Sequence, residues 1–161
     1  MDLWKDEDFS SQAQYFRACL LRGLSENYSG LDSNRMTLAY FCVSGLDLLG
    51  ELRPSECSKV IAWVKAQMNE KSGGFRGSPF FNSVGDRDLC WDVGHIAMTY
   101  TGLAMLAICG EDLRRIDRSP IISFVKSLQT ENGGFRCHSM EEETDLRFLF
   151  RNRPHHFDST R

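Results

Sequence analysis

The chain has 161 residues, a formal net charge of −3, 42% hydrophobic residues and 25% charged residues. That balance belongs to an ordinary globular domain, and without a basic stripe it excludes a nucleic-acid partner. The apolar-rich stretches Met36–Leu49 and Ile96–Cys109 fall short of the ~20 residues that span a bilayer, so no transmembrane segment is expected.

The acidic start Met1–Phe9 does not read as a secretory signal. The six cysteines are scattered without a CxxC pair, and the expectation is a cytoplasmic chain with reduced thiols. A first helix is expected from about Phe9 to Gly23, where Phe9, Ala13, Phe16 and Leu20 recur at helical spacing. The second, about Ser33 to Leu49, is apolar nearly all round and reads as buried on most sides. The third begins at Pro54, with Val60, Ile61, Val64 and Met68 on one face and Lys59, Lys65 and Asn69 on the other. After Gly73-Gly74-Phe75-Arg76 and a polar loop, a fourth helix is expected from Asp92 to Cys109, again apolar on several sides. A fifth opens at Ser119-Pro120, read as an N-cap followed by an N1 proline, and runs into Gly133-Gly134-Phe135-Arg136. A sixth opens at Asp145-Leu146-Arg147-Phe148.

Buried and surface helices alternate, which is the order of stacked helical hairpins with an inner and an outer layer. The repeat agrees: Trp63-Val64-Lys65 with Gln67 before the first GGFR matches Phe124-Val125-Lys126 with Gln129 before the second. The fold class is therefore all-α.

On the fourth helix, Asp92, His95, Thr99 and Gly102 fall at i, i+3, i+7 and i+10 and would share one face. Such a polar and small-residue line suits a wall facing a cavity. Alternatively, the hydroxyls bond back to their own helix and His95 is a core histidine. Thr37, Phe41 and Ser44 make a weaker line on the second helix. No GxSxG, P-loop, HExxH or GxGxxG motif is present. Cys137, His138, His155 and His156 match no zinc spacing. The acids Glu141 to Glu143 read as favouring the N-terminal dipole of the sixth helix, and Arg147 in a buried first turn needs a partner.

The run Asp92-Val93-Gly94-His95-Ile96-Ala97-Met98-Thr99-Tyr100-Thr101-Gly102-Leu103 resembles a segment of protein geranylgeranyltransferase type I β subunits. So do Arg35-Met36-Thr37, Ser44 to Asp47, the GFRG motif, Gly110 to Leu113 and Asp145 to Phe148. The resemblance implies an α/α toroid, here an incomplete one covering roughly the first half of the ring. It implies a partial toroid domain over residues 1–150 and a divergent tail over 151–161. It implies transfer of geranylgeranyl from its diphosphate to the cysteine of a C-terminal CaaX sequence, often ending in Leu. The partner implied is a helical-repeat α subunit, and zinc activates the acceptor thiol.

By the same resemblance, Thr37 and Phe41 line the far end of the lipid pocket; farnesyl-transferring relatives place Trp at the position of Thr37. His95, Ala97, Met98 and Phe148 shape the pocket for the last CaaX residue, and Arg147 contacts the peptide backbone. The match fails after Phe148, where Pro154 and three arginines do not suit a buried helix. The family's zinc ligands and diphosphate-binding residues have no counterpart in the chain. The expectation is thus no catalytic residue, no bound zinc and no activity for these residues alone. Two other readings are a non-catalytic isoform that binds the α subunit and a β subunit of farnesyl or Rab type.

Overall fold

A computed structural model describes residues 9–22, 26–79, 92–141 and 144. Its α-helices are α1 (Ser10–Arg22), α2 (Arg35–Leu48), α3 (Pro54–Lys65), α4 (Ile96–Ile108) and α5 (Arg118–Ser127). The 3₁₀ segments Glu26–Asn34 and Leu113–Arg115 lead into α2 and follow α4. Among the described residues there is no β-strand, only isolated bridges such as Met68 with Phe75 and Gln129 with Phe135.

The apolar helices α2 and α4 pack side by side, with α1 against α2 and α3 against α4. Met36, Val43, Val64, Phe75, Met105 and Leu106 form the centre of the core, each at most 1% exposed. Burying a side chain of that size stabilises the fold by about 1.5–3 kcal/mol. Gly45 permits the close approach of α1: a Cβ there would stand 2.6 Å from the Phe16 ring. A charged tie reinforces the outer layer. Arg17 of α1 donates to Glu56 of α3 at 2.6 Å and to the Glu51 carbonyl at 2.7 Å, while the Arg53 amide donates to the other Glu56 oxygen.

The repeat is deeper than the GGFR motif. Gly73 and Gly133 both adopt positive φ, where glycine is the residue at least steric cost. Asn69 N bonds Gly74 O as Thr130 N bonds Gly134 O, and Arg76 N bonds Gln67 O as Arg136 N bonds Leu128 O. Gln67 therefore corresponds to Leu128, not to Gln129 as the sequence match suggests. One residue more lies between Asn69 and Gly73 than between Thr130 and Gly133. The inner helices repeat as well: Met36 N bonds Gly77 O and Ile96 N bonds Cys137 O. Each glycine turn thus caps the inner helix that precedes it. The exits also match, with Glu51 N on Leu46 O and Glu111 N on Leu106 O around the positive-φ residues Gly50 and Gly110.

Two helix starts differ from expectation. α4 begins at Ile96 rather than Asp92, because His95 is extended (φ −125°, ψ 132°) and its amide bonds Phe75 O. α5 begins at Arg118, with Asp117 as the N-cap accepting from Ser119 N, rather than Ser119 capping Pro120. The expected sixth helix falls outside the described residues.

Candidate functional site

The first GGFR turn organises the site. Gly74 lies so close to its surroundings that a Cβ would stand 2.6 Å from Phe124 and 2.8 Å from Thr99 Oγ1. Phe75 N donates to Thr99 Oγ1 at 2.9 Å, and the Thr99 hydroxyl donates back to His95 O at 2.9 Å. Arg76 pairs with Asp92 at 2.8 Å, both side chains being 7% exposed, and Asn69 Nδ2 also donates to Asp92. Asp92 is therefore the buried counter-ion of the turn.

The expected Asp92–His95–Thr99–Gly102 wall is thereby corrected. Asp92 and His95 precede the helix, and Thr99 and Gly102 are buried against the turn instead of facing open space. The accessible line of α4 is Ala97, Tyr100, Ala104 and Ala107. Beside it, Phe41 and Leu48 of α2 are 57% and 86% exposed, and Tyr40 meets Tyr100 edge-on with ring centroids 6.3 Å apart.

A cleft of about 240 Å³ opens at the N-terminal ends of α2 and α4, lined by Asn34, Gly77, His95, Met98, His138 and Met140 among others. His95 caps α4 by accepting from Ala97 N at Nδ1, and its ring centroid lies 5.8 Å from that of His138. Thr37 donates to Met98 Sδ at 3.2 Å. Thr37, His95 and Met98 are thus brought together. Ala97 is half-buried beside them, packed against a second cluster that includes Phe124 and Leu128. Phe41 stands apart, one turn along α2. Arg147 and Phe148 lie outside the described residues. Sequence reasoning passed over Tyr100, whose signal was its recurrence with Tyr40 in the inner-helix repeat, and Met140, for which there was no local signal.

Three of the described thiols, Cys42, Cys109 and Cys137, are held in the protonated form. Burial pushes Cys42 up to about 11 and Cys109 up to about 12. Burial, followed by the hydrogen bond to Glu141, pushes Cys137 up to about 12. One group of three among the described residues, Cys137, His138 and Glu141, places metal-binding atoms within 4.8 Å of one another. Its sulfur belongs to a residue only 9% exposed, which leaves no open position for an incoming acceptor thiol. It does not fit the family's catalytic ion.

Residues 8–152 match the sequence profile described as the prenyltransferase alpha-alpha toroid domain. The chain belongs to this family. It is 33% identical over 141 residues to an Arabidopsis thaliana protein named geranylgeranyl transferase type-1 subunit beta, covering 79% of this chain and 37% of that relative. It is 30% identical over 124 residues to the protein farnesyltransferase subunit beta of the same plant, covering 76% of this chain and 23% of the relative. The structure of Candida albicans protein geranylgeranyltransferase-I complexed with GGPP superposes with a TM-score of 0.74 at 23% identity, over 89% of this chain and 44% of that one. That likeness shows the fold, a partial α/α toroid. The chain spans less than half the length of each of these relatives. Among the described residues, no helix is long and apolar enough to cross a membrane.

Proposed function

We propose that these residues belong to the β subunit of a protein geranylgeranyltransferase of type I. The protein would be cytoplasmic, paired with a prenyltransferase α subunit, and would transfer geranylgeranyl from its diphosphate to CaaX cysteines. The observation that carries this reading is Thr37: a small side chain on α2, hydrogen-bonded to Met98, which with His95 lines the cleft. A small residue leaves volume for a longer isoprenoid where a Trp would fill it.

On this reading, Thr37 and Phe41 bound the lipid, while His95, Ala97 and Met98 contact the last CaaX residue, with Arg147 and Phe148 completing the peptide pocket. Zinc and the diphosphate are held by residues other than those described here, and zinc supplies the thiolate character of the acceptor. Residues 9–150 alone then carry selection and not transfer.

A farnesyltransferase β subunit is the competing assignment, favoured by the 30% identity to the Arabidopsis protein of that name. The two are separated by assaying the protein that carries this chain, purified with a prenyltransferase α subunit, against geranylgeranyl and farnesyl diphosphates with a Leu-ending CaaX peptide. Preferential use of the farnesyl donor overturns the type I reading.

A further inference from the structure

The turn after the second GGFR motif carries a feature that the first one lacks. Gly77 and Cys137 occupy equivalent places, each offering its carbonyl to an amide in the first turn of an inner helix. At Gly77 a side chain is excluded, since a Cβ would lie 1.9 Å from Ser33 O. At the second turn a cysteine fits. His138 follows it directly and Glu141 lies one short turn later, bonded through its amide to His138 O at 3.3 Å.

We propose that Cys137, His138 and Glu141 form a divalent transition-metal site suited to Zn²⁺, separate from the family's catalytic ion. The three ligand atoms already lie within 4.8 Å of one another. Tetrahedral zinc with bonds of 2.0–2.3 Å requires roughly 3.3–3.7 Å between ligand atoms, so the widest pair must close by about 1 Å while the Cys137 sulfur and the Glu141 oxygen, in direct contact here, must part. Thiolate, imidazole and carboxylate together favour zinc or cobalt over magnesium or calcium, which prefer all-oxygen sites.

The backbone prepares the site. Cys137 is fixed by its carbonyl on Ile96 N at 2.8 Å, and its sulfur already donates to a Glu141 oxygen. His138 Nε2 stands 3.9 Å from the same carboxylate. Nδ1 of His138 accepts from the Met140 amide at 3.2 Å, a long contact that the ring gives up in turning toward a cation. On binding, the metal replaces the thiol proton, which leaves to the buffer, and the imidazole binds as the neutral ring. Because His138 and Met140 line the cleft beside His95, metal binding would stiffen one wall of it.

The test is a titration of the full, reduced and chelator-treated chain with Co²⁺, read by the thiolate-to-cobalt charge-transfer absorbance. One equivalent is expected to saturate the band, and Cys137→Ser is expected to abolish it. His138→Ala and Glu141→Gln are each expected to weaken Co²⁺ binding by about tenfold or more, at least what an outer-shell partner is worth. If Cys137→Ser loses its helical circular dichroism, these two partly exposed positions decide the matter. A missing band, a band unchanged in a folded Cys137→Ser chain, or undiminished affinity in both other variants overturns the site. None of these outcomes depends on prenyl transfer.

Discussion

Arg76 and Asp92 form an ion pair of 2.8 Å with each side chain only 7% exposed. The pair ties the first GGFR turn to the segment leading into α4. Removing one partner of such a pair strands the other charge and costs about 3–5 kcal/mol. Asp92→Ala is therefore expected to lower the urea midpoint sharply. Asp92→Leu with Arg76→Met is expected to recover a large part of the loss, since a matched apolar replacement leaves no unpaired charge.

The two glycine turns should respond differently to the same substitution. Gly74 and Gly133, one in each turn though not at equivalent places, both have positive φ (70° and 83°), but of these two only Gly74 is crowded, by Phe124 and Thr99; nothing lies within 4 Å of a Cβ at Gly133. Gly133→Ala is expected to cost about 1–2 kcal/mol of backbone strain. Gly74→Ala is expected to cost more, because Phe124 must also move. Comparing the two denaturation midpoints checks this.

Acid should loosen the α1–α3 tie. Burial raises the pKa of Glu56, but the hydrogen bonds from Arg17 and Arg53 outweigh it and hold the carboxyl below its ordinary 4.5. A depressed carboxylate pKa adds stability above the unfolded-state value that is lost as pH falls through the folded one. Wild type is thus expected to lose stability below about pH 4.5, and Glu56→Gln is expected to flatten that part of the pH profile. Melting temperatures across pH 3–7 for both proteins measure it.

At His95 the helix cap that the structure shows can be separated from the CaaX contact proposed above. His95→Ala removes the cap on Ala97 N and is expected to destabilise the chain by about 1 kcal/mol. Asn caps as well as any residue, so His95→Asn is expected to stay within about 0.5 kcal/mol of wild type. In the assembled enzyme, however, His95→Asn should still alter the preference for the final CaaX residue. Thermal melts and a peptide panel varied at the last position read the two effects independently.

The layer order was legible because α2 and α4 are apolar on nearly every side, whereas α3 and α5 carry polar faces. The two glycine turns were legible because GGFR recurs. The start of α4 was not. Asp92-Val93-Gly94-His95 carries helical spacing, yet the Phe75 carbonyl draws the His95 amide into an extended backbone. A Cβ at Gly94 would meet Gly73 O at 2.2 Å, so the segment is set by a neighbour some twenty residues away. For the same reason, Thr99 looked like a cavity residue when its hydroxyl is the acceptor for Phe75 N. Cys137 and His138 were visible as a pair, but their third neighbour was not, because Glu141 reads equally well as part of an acidic run.

Thr37 tests the central claim most directly. The protein that carries this chain, assembled with a prenyltransferase α subunit, should use geranylgeranyl diphosphate in preference to farnesyl diphosphate. Thr37→Trp should shift the ratio of kcat/KM values toward farnesyl by about tenfold or more, corresponding to roughly 1.4 kcal/mol. An unchanged ratio in a folded Thr37→Trp enzyme, or a farnesyl preference in the wild type, would contradict the assignment.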